Sequence, residues 1–184
     1  GSRTVIMAIL NVTPDSFSDC GLHLDPERAI SRGCELEQQG ADILDIGGES
    51  TRPGSESVPE EVELGRILPV IEGLAARLRI PISIDTFRAG VARRAMAAGA
   101  QIINDISAFR FDPNIATVAA EARAGVVLMH SRGTRETLHL QEALQNPVES
   151  VLSDLRQATD AATRRGIDRK AIVVDPGIGF GKDA

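Results

Sequence analysis

The chain has 184 residues, of which 42% are hydrophobic, and this favours one domain with a sizeable core over a disordered protein. Its net charge of −6, from 20 basic and 26 acidic residues without a basic run, argues against nucleic acid or an anionic membrane surface as a partner. Cys20 and Cys34 predict thiols in a reducing cytoplasm rather than a disulfide framework, and no apolar stretch reaches the roughly 18 residues of a membrane span.

Six short apolar runs alternate along the chain with five amphipathic segments, which predicts six buried strands and five helices. Residues 1–2 are interpreted as a cloning remnant, and residues 3–184 as a single domain. The predicted strands are Thr4–Leu10, the first half of Ala41–Gly54, Pro81–Asp85, Gln101–Asp105, Val126–Met129 and Lys170–Asp175. The predicted helices run from Asp25-Pro26 to Gly40, from the capping-box spacing of Ser57 and Glu60 to about Leu78, over Arg88–Ala98, from Asp112-Pro113 to Gly125, and from Asn146-Pro147 to Gly166.

Polar residues stand at the carboxyl end of every predicted strand, and their placement discriminates between two parallel α/β architectures. In a barrel all of these ends converge on one mouth, whereas in an open doubly wound sheet only those near the reversal of strand order meet. We therefore predict a (β/α)8 barrel of TIM type from which two βα units are absent, so that the first and last strands present unpaired edges. The residues concerned are Asn11, Asp45, Asp85, Asn104 with Asp105, His130 and Asp175.

The stretch after the second strand, Gly47–Gly54, predicts a substrate loop. Two adjacent glycines allow backbone N–H groups to approach a ligand closely, and Ser50, Thr51 and Arg52 add donors for an anionic or oxygen-rich group. Together with Asn11, an uncharged oxygen ligand, Thr51 and Arg52 could hold phosphate oxygens and a magnesium ion. An ordinary Gly/Ser/Pro connection is the alternative interpretation of the same loop.

Three other strand ends carry acceptor oxygens, namely Asp85, Asn104 and Asp175. Two carboxylates and an amide aimed at one spot suit a flat heterocycle with several N–H donors, because a carboxylate accepts two parallel hydrogen bonds from an amidine-like edge. Each residue alone would more ordinarily cap a helix or a turn. His130 is interpreted as either a base or a neutral structural residue. The stretch Gly177–Lys182 lacks the spacing and the following helix of a phosphate-binding P-loop.

Six stretches of the sequence, several of them long and unusual, resemble motifs of the dihydropteroate synthase family, in the same order. That family is a (β/α)8 barrel of folate biosynthesis, which joins 6-hydroxymethyl-7,8-dihydropterin diphosphate to 4-aminobenzoate and releases diphosphate. The resemblance implies the same fold, transferase activity and small-molecule substrates for this chain. The stretches are Asn11–Asp19, Asp45–Gly54, Ser83–Thr86, Ile103–Ile106, Leu128–His130 and Asp175–Lys182.

The resemblance implies a diphosphate and aminobenzoate side of the site. Asn11 is the implied Mg²⁺ ligand, while Thr51 and Arg52 hold the diphosphate and border the aminobenzoate. Phe17 and Pro53 flank the aminobenzoate once the first two loops close. In this mechanism Mg²⁺ and cationic groups stabilise the departing diphosphate, and Arg52 is therefore a predicted catalytic residue.

The resemblance also implies a pterin side of the site. Asp85, Asn104 and Asp175 hydrogen-bond to the pterin, in agreement with the argument from residue chemistry, and Met129 and Phe180 form walls for its ring. Asp85 is the second predicted catalytic residue. No protein nucleophile is required, because a pterin methylene cation forms before the amine attacks.

Departures from the family pattern define the alternatives. The family continues to a Ser-Arg-Lys motif and a final Arg-x-His that these 184 residues lack, so we expect very low synthase activity from this chain alone. Cys20 stands where the family usually has glycine, and Arg135 where proline is common. A pterin-binding module or truncated form without synthase activity is one alternative. The pterin-binding methyltransferases, which lack the two early loop motifs, are another. The resemblance further implies a homodimeric full-length form and sulfonamide susceptibility.

Overall fold

The computed structural model describes residues 3–13, 25–50, 57–180 and 182. The chain groups into two compact units, Gly1–Thr86 with Gly90–Ile102 (unit 1) and Phe87–Ala89 with Ile103–Ala184 (unit 2). In the part described, no helix is both long enough and apolar enough to cross a membrane. Residues singled out above that lie outside the described ranges are Phe17, Cys20, Thr51, Arg52 and Pro53.

Within these ranges, six strands alternate with five α-helices, as the sequence predicts. A short 3₁₀ helix, Arg169–Ala171, precedes the last strand. The strands are β1 (Met7–Asn11), β2 (Ile43–Gly47), β3 (Ile82–Asp85), β4 (Ile102–Asp105), β5 (Gly125–Met129) and β6 (Ile172–Asp175). The helices are α1 (Pro26–Gln38), α2 (Glu60–Ala75), α3 (Ala89–Ala97), α4 (Ile115–Ala122) and α5 (Pro147–Arg164).

The sheet places its strands in chain order, from β1 to β6. In unit 1, β1, β2 and β3 are parallel, and their register aligns Asn11 with Gly47 and Gly47 with Asp85. In unit 2, β5 and β6 are parallel, and their register aligns Met129 with Asp175. Within each unit the last residues of these strands are therefore level, which is the condition for neighbouring side chains to meet at the carboxyl edge.

Several helix boundaries agree with the sequence analysis because their capping residues act locally. The Asp25 carboxylate accepts the N–H of Glu27 at 3.0 Å, and Pro26 takes the first helical position of α1. Gly40 and Gly99 follow α1 and α3 with φ of +99° and +117°. An L-residue with a side chain would be strained at both positions, so glycine ends both helices, as the sequence predicts for Gly40.

The predicted capping box of α2 is wrong. The helix begins at Glu60 with Pro59 in the N-cap position, and no side chain caps it. Proline places the backbone in an extended conformation just before the helix, with φ of −57° and ψ of +148°, and so starts α2 without a hydroxyl cap. The helix ends at Ala75, before the predicted Leu78.

The predicted boundaries of α4 are also shifted. The Asp112 carboxylate accepts the N–H of Ala89, the first residue of α3, at 2.8 Å, and the N–H of Asn114 at 3.0 Å. Because Asp112 makes these bonds, α4 begins later, at Ile115. Arg123, with φ of +51°, takes the left-handed position after α4 that the sequence suggested for Gly125, which instead opens β5.

Both units have aliphatic cores, as the low aromatic content suggests. In unit 1 the largest fully buried side chains come from β1, β2, β3 and α2, and in unit 2 they come from β4, α4, β5 and the loop after β5. Such branched side chains fill the space between a parallel strand and its helix without a polar atom to satisfy. Examples are Leu44, Ile46, Ile67, Ile71 and Ile84 in unit 1, and Ile103, Ile115, Leu128 and Leu138 in unit 2.

Candidate functional site

The carboxyl edge of unit 1 brings Asn11 and Asp85 together around Gly47. The three residues are level in the sheet register, and the two side chains belong to the strands on either side of the glycine. A Cβ atom built on Gly47 would lie 3.4 Å from Asn11 Oδ1 and 3.6 Å from Asp85 Oδ2. Two of the predicted site residues thus converge, and the glycine leaves the space between their oxygens open.

This recess is chemically suited to a hard cation or to a group rich in N–H donors. Asn11 is exposed and Asp85 is half-buried, and both residues end their strands at the carboxyl edge. In the described ranges, no three His, Cys, Asp or Glu side chains are grouped to hold a metal ion. Mg²⁺, however, keeps several waters and takes one or two protein oxygens when a substrate supplies phosphate. The Asn11 amide with the neighbouring Asp85 carboxylate fits that requirement.

Unit 2 brings together Asp175, Met129 and Phe180, three of the predicted pterin residues. Met129 is aligned with Asp175 in the β5 and β6 register. The Phe180 ring packs against a buried cluster that contains Met129, Ile106 and Leu138, and it stacks on the His139 imidazole with centroids 5.0 Å apart. This unit therefore places the Met129 thioether and the Phe180 ring, which could pack against a flat ligand, near the Asp175 carboxylate.

The exit segment of β6, residues 176–180 with Lys182, is held against the end of β5. The Asp175 carboxylate accepts the N–H of Gly177 at 2.7 Å. Lys182 Nζ donates to the carbonyl oxygens of Gly177 at 2.8 Å and His130 at 3.0 Å. Burial is the main cause that lowers the pKa of Lys182, and the Arg132 cation lowers it further. The lysine thus joins the loop that contains Phe180 to the strand that contains Met129.

Asn104 and Asp105 end β4 but differ in environment. Asn104 is half-buried at the strand end. Asp105 is fully buried, and its carboxylate accepts from Ser107 N and Oγ and from Phe109 N, each at 2.7 Å. Burial raises the pKa of Asp105. Its bonds hold Ala108 and Phe109 at φ of +49° and +69°, so Asp105 stabilises a strained turn, and the binding role predicted for Asn104 stays a prediction.

His130 lies against α5. Its Nε2 is 3.1 Å from Asp154 Oδ2, and the imidazole is 1% exposed. Burial lowers the pKa of His130, the Lys182 cation adds to this, and Asp154 opposes it. The pair lines a cavity of about 550 Å³ that is also lined by Arg110 and Arg164 but by neither Asn104 nor Asp175. Of the two interpretations of His130, the neutral structural one fits this geometry.

The sequence analysis did not assign a role to three residues that contact the strand ends. Glu63 and Arg66 on α2 reach the ends of β3 and β2, and Lys182 reaches the end of β5. A signal for Glu63 exists in the sequence, because this acidic residue lies four positions before Ile67 on the apolar stripe of α2. Arg66 and Lys182 make backbone contacts that no spacing rule indicates.

Comparison with known proteins assigns the family. A model described as pterin binding enzyme matches residues 7–184. The chain belongs to the pterin binding enzyme family. The dihydropteroate synthase of Bacillus subtilis strain 168 is 48% identical over 180 residues, which are 98% of this chain and 61% of that protein. The chain thus spans less than two thirds of that relative's length.

Solved structures of family members agree with the fold. Dihydropteroate synthase of Xanthomonas albilineans with 4-aminobenzoic acid superposes with a TM-score of 0.89 at 47% identity, over 98% of this chain and 64% of that one. The same enzyme in complex with 7,8-dihydropteroate gives a TM-score of 0.83 at 44% identity, over 98% and 63% of the two chains. These structural neighbours are TIM barrels, which confirms the predicted α/β fold class. That Asp85, Asn104 and Asp175 share one cavity stays a prediction.

Proposed function

We propose that this chain contributes the pterin-binding side of a dihydropteroate synthase. The reaction condenses 6-hydroxymethyl-7,8-dihydropterin diphosphate with 4-aminobenzoate to 7,8-dihydropteroate and diphosphate. The observation that supports it best is the recess in which Asn11 and Asp85 face each other across Gly47, in a chain of the pterin binding enzyme family. The 7,8-dihydropteroate complex of the Xanthomonas albilineans relative adds to this support.

The pterin is proposed to bind through its N–H groups. Asp85, Asn104 and Asp175 supply acceptor oxygens, and the carboxylates can each accept two parallel hydrogen bonds from the aminopyrimidine edge. Met129 and Phe180 then cover the ring faces, and a pterin on the face of Phe180 now occupied by His139 would replace that stacking partner. Asp85 also places a negative charge near the methylene carbon on which positive charge develops.

The diphosphate end is proposed to lie at Asn11, Thr51 and Arg52. Mg²⁺ held by Asn11 with water and substrate oxygens would neutralise charge on the departing diphosphate. Arg52 donates to the same oxygens in a bidentate manner, and Phe17 and Pro53 exclude water around the aminobenzoate ring. A sulfonamide would compete for that last site because it has the shape and charge of aminobenzoate.

The cellular setting follows from the same proposal. A reducing cytoplasm is proposed as its location, and the free thiol of Cys34 supports this. The full-length form is proposed to be a homodimer, with small molecules as its substrates and neither nucleic acid nor membrane as a partner. Sedimentation analysis of a form as long as the relatives would test the dimer directly.

Calorimetric titration tests the proposal. The 184-residue chain is titrated with 6-hydroxymethylpterin, and the complex is then titrated with 4-aminobenzoate in the presence of diphosphate and Mg²⁺. Asp175→Asn should weaken pterin binding by roughly tenfold to a hundredfold, the value of one or two charge-assisted hydrogen bonds. The matched control is Asp160→Asn, an exposed residue on α5, which should bind as the wild type does.

The same titration separates the alternatives. Pterin binding followed by aminobenzoate binding supports the synthase, whereas pterin binding alone indicates a pterin-binding module. Absence of pterin binding in the folded wild-type chain would reject both. We expect the chain by itself to show no detectable synthase turnover and a version extended to the length of its relatives to be active, so equal turnover of the two would contradict that part.

A further inference from the structure

Helix α2 places a buried carboxylate against the end of β3. Glu63 is 1% exposed, and its Oε1 accepts a hydrogen bond from Thr86 Oγ1 at 3.2 Å. Thr86, itself 3% exposed, directly follows Asp85. A glutamate is almost never fully buried without partners, because desolvation of the charge must be offset by hydrogen bonds. A hydrophobic residue at this position of the apolar stripe would avoid that cost.

The next turn of α2 contacts the end of β2. Arg66 donates to the carbonyl oxygen of Gly48 at 2.8 Å. Glu63 and Arg66 are three residues apart and so share one face of the helix. One helix face therefore contacts two strand exits of unit 1, at Gly48 and at Thr86.

The backbone at Gly48 is shaped for this approach. A Cβ atom on Gly48 would lie 2.6 Å from Ile67 Cγ2, 3.0 Å from Glu63 Cγ and 3.2 Å from the Glu63 carbonyl oxygen. Only glycine lets α2 come so close to the end of β2. The absence of a side chain at the adjacent Gly47 has a different effect, because it leaves the recess between Asn11 and Asp85 open.

We propose that Glu63 and Arg66 are positioning residues, which fix Asp85 and Gly48 relative to each other. Glu63 orients Asp85 through Thr86, and Arg66 holds the Gly48 carbonyl oxygen. Neither is proposed as a catalytic residue, because their contacts are with Thr86 and the Gly48 carbonyl oxygen. The choice of a pterin as the ligand rests on the proposed function. The positioning role itself rests on the contacts of Glu63 and Arg66 within unit 1.

Paired variants test the positioning role. Thr86→Val removes the hydroxyl donor at nearly constant volume, and Thr86→Ser keeps it. Arg66→Met removes the donor to Gly48 while keeping an unbranched side chain. We expect Thr86→Val and Arg66→Met each to raise the Kd for 6-hydroxymethylpterin at least fivefold in the 184-residue chain, and Thr86→Ser to stay within twofold of the wild type.

Matched controls exclude a general loss of stability. Glu72→Gln alters an exposed acid on the same helix, and Thr117→Val alters an exposed threonine on α4. Both should bind 6-hydroxymethylpterin as the wild type does. Urea unfolding of every variant identifies any that fails to fold. If Thr86→Val does not fold, Arg66→Met provides the test instead, because Arg66 is only half-buried.

Amide hydrogen exchange keeps the inference separate from the proposed function. Peptides that cover residues 47–50 and 85–87 should exchange faster in Arg66→Met and in Thr86→Val, respectively, than in the two controls. Unchanged exchange in both peptides overturns the inference, and so does unchanged affinity in a wild-type background that binds pterin. If the exchange of these peptides is faster but the wild-type chain binds no pterin, the positioning role is supported and only the assignment of a pterin as the ligand is rejected.

Discussion

Gly48 and Gly65 lie beside and within the same helix, α2, but an added methyl group would meet different surroundings. At Gly48 it would lie 2.6 Å from Ile67 Cγ2, whereas at Gly65 it would meet nothing within 4 Å. We predict that Gly48→Ala lowers the free energy of unfolding by about 1–3 kcal/mol through overpacking. Gly65→Ala should raise it by about 0.5–1 kcal/mol through helix propensity. Urea unfolding measures both, and equal effects would contradict the close approach of α2.

His130 predicts a pH dependence of stability. Its pKa in the folded chain is lowered, first by burial and then by Lys182. Between that folded value and the ordinary value of about 6.5, the unfolded chain binds more protons, so stability falls as the pH falls through this window and is independent of His130 above it. His130→Gln should therefore lose less stability than the wild type on going from pH 7.5 to 5.5. Parallel pH slopes of the urea midpoints in the two proteins would rule this out.

The polar residues at strand ends could be predicted from the sequence, but which of their side chains lie next to each other could not. Asn11 and Asp85 could be named from the sequence because a polar residue after an apolar run marks the end of a strand. Their convergence over Gly47 depends on a sheet register that places three strand ends level. Glu63 was missed because a helix pattern shows which face is buried and not which hydroxyl of another strand that face will meet.

At the scale of elements, the exit segment of β6 depends on a glycine that contacts β5. A Cβ atom on Gly177, where φ is +66°, would overlap the carbonyl oxygen of His130, whereas one on Gly179, at φ of +92°, would meet nothing within 4 Å. We predict that Gly177→Ala costs roughly 2–4 kcal/mol, from a left-handed backbone and a clash, and Gly179→Ala about 1–2 kcal/mol from the backbone alone. Thermal unfolding compares the two.

The comparison of Gly177 with Gly179 isolates the contact, since both substitutions impose the same kind of backbone strain. An equal loss of stability would show that the exit segment does not depend on its approach to β5. Lys182→Met should in turn lower stability less than Gly177→Ala, because it removes hydrogen bonds to carbonyl oxygens without forcing the backbone to move.

The ends of the strands were predicted more closely than the starts of α2 and α4. Strands were marked by short apolar runs, and β3 begins at Ile82 and ends at Asp85, within the predicted Pro81–Asp85. Helix starts depend on which side chain takes the N-cap, and Asp112 was misassigned because it accepts the first N–H of α3. A bond between residues 23 positions apart in the sequence cannot be read from a local pattern.

At the scale of the whole molecule, the α/β class followed from the alternation of strands and helices, because uniformly apolar strands must be covered on both faces. The strand order agrees with the predicted barrel topology. The division into two compact units could not be predicted from the sequence, because it reflects how contacts between residues are distributed and no linker sequence marks it. Residues 51–56, which include two predicted diphosphate ligands, lie outside the described ranges.

The first and last strands expose apolar side chains, in keeping with the predicted edges. On β6, Val173 is 59% and Val174 48% exposed, and Val174 lines a groove of about 520 Å³ with Leu152 and Leu155 of α5. An exposed apolar strand at a sheet edge promotes association with other chains. We predict that the 184-residue chain self-associates with rising concentration and that Val174→Lys reduces this, because a charged edge residue opposes strand pairing.

Sedimentation velocity over a concentration series measures the effect, with Thr117→Lys as the control. That exposed threonine on α4 gives a lysine without covering or removing apolar surface, so it separates the contribution of β6 from the change in net charge. If Thr117→Lys reduced self-association as much as Val174→Lys, overall charge would be the cause. A larger effect of Val174→Lys assigns the association to the β6 edge, because a lysine there must be desolvated when another strand pairs with it.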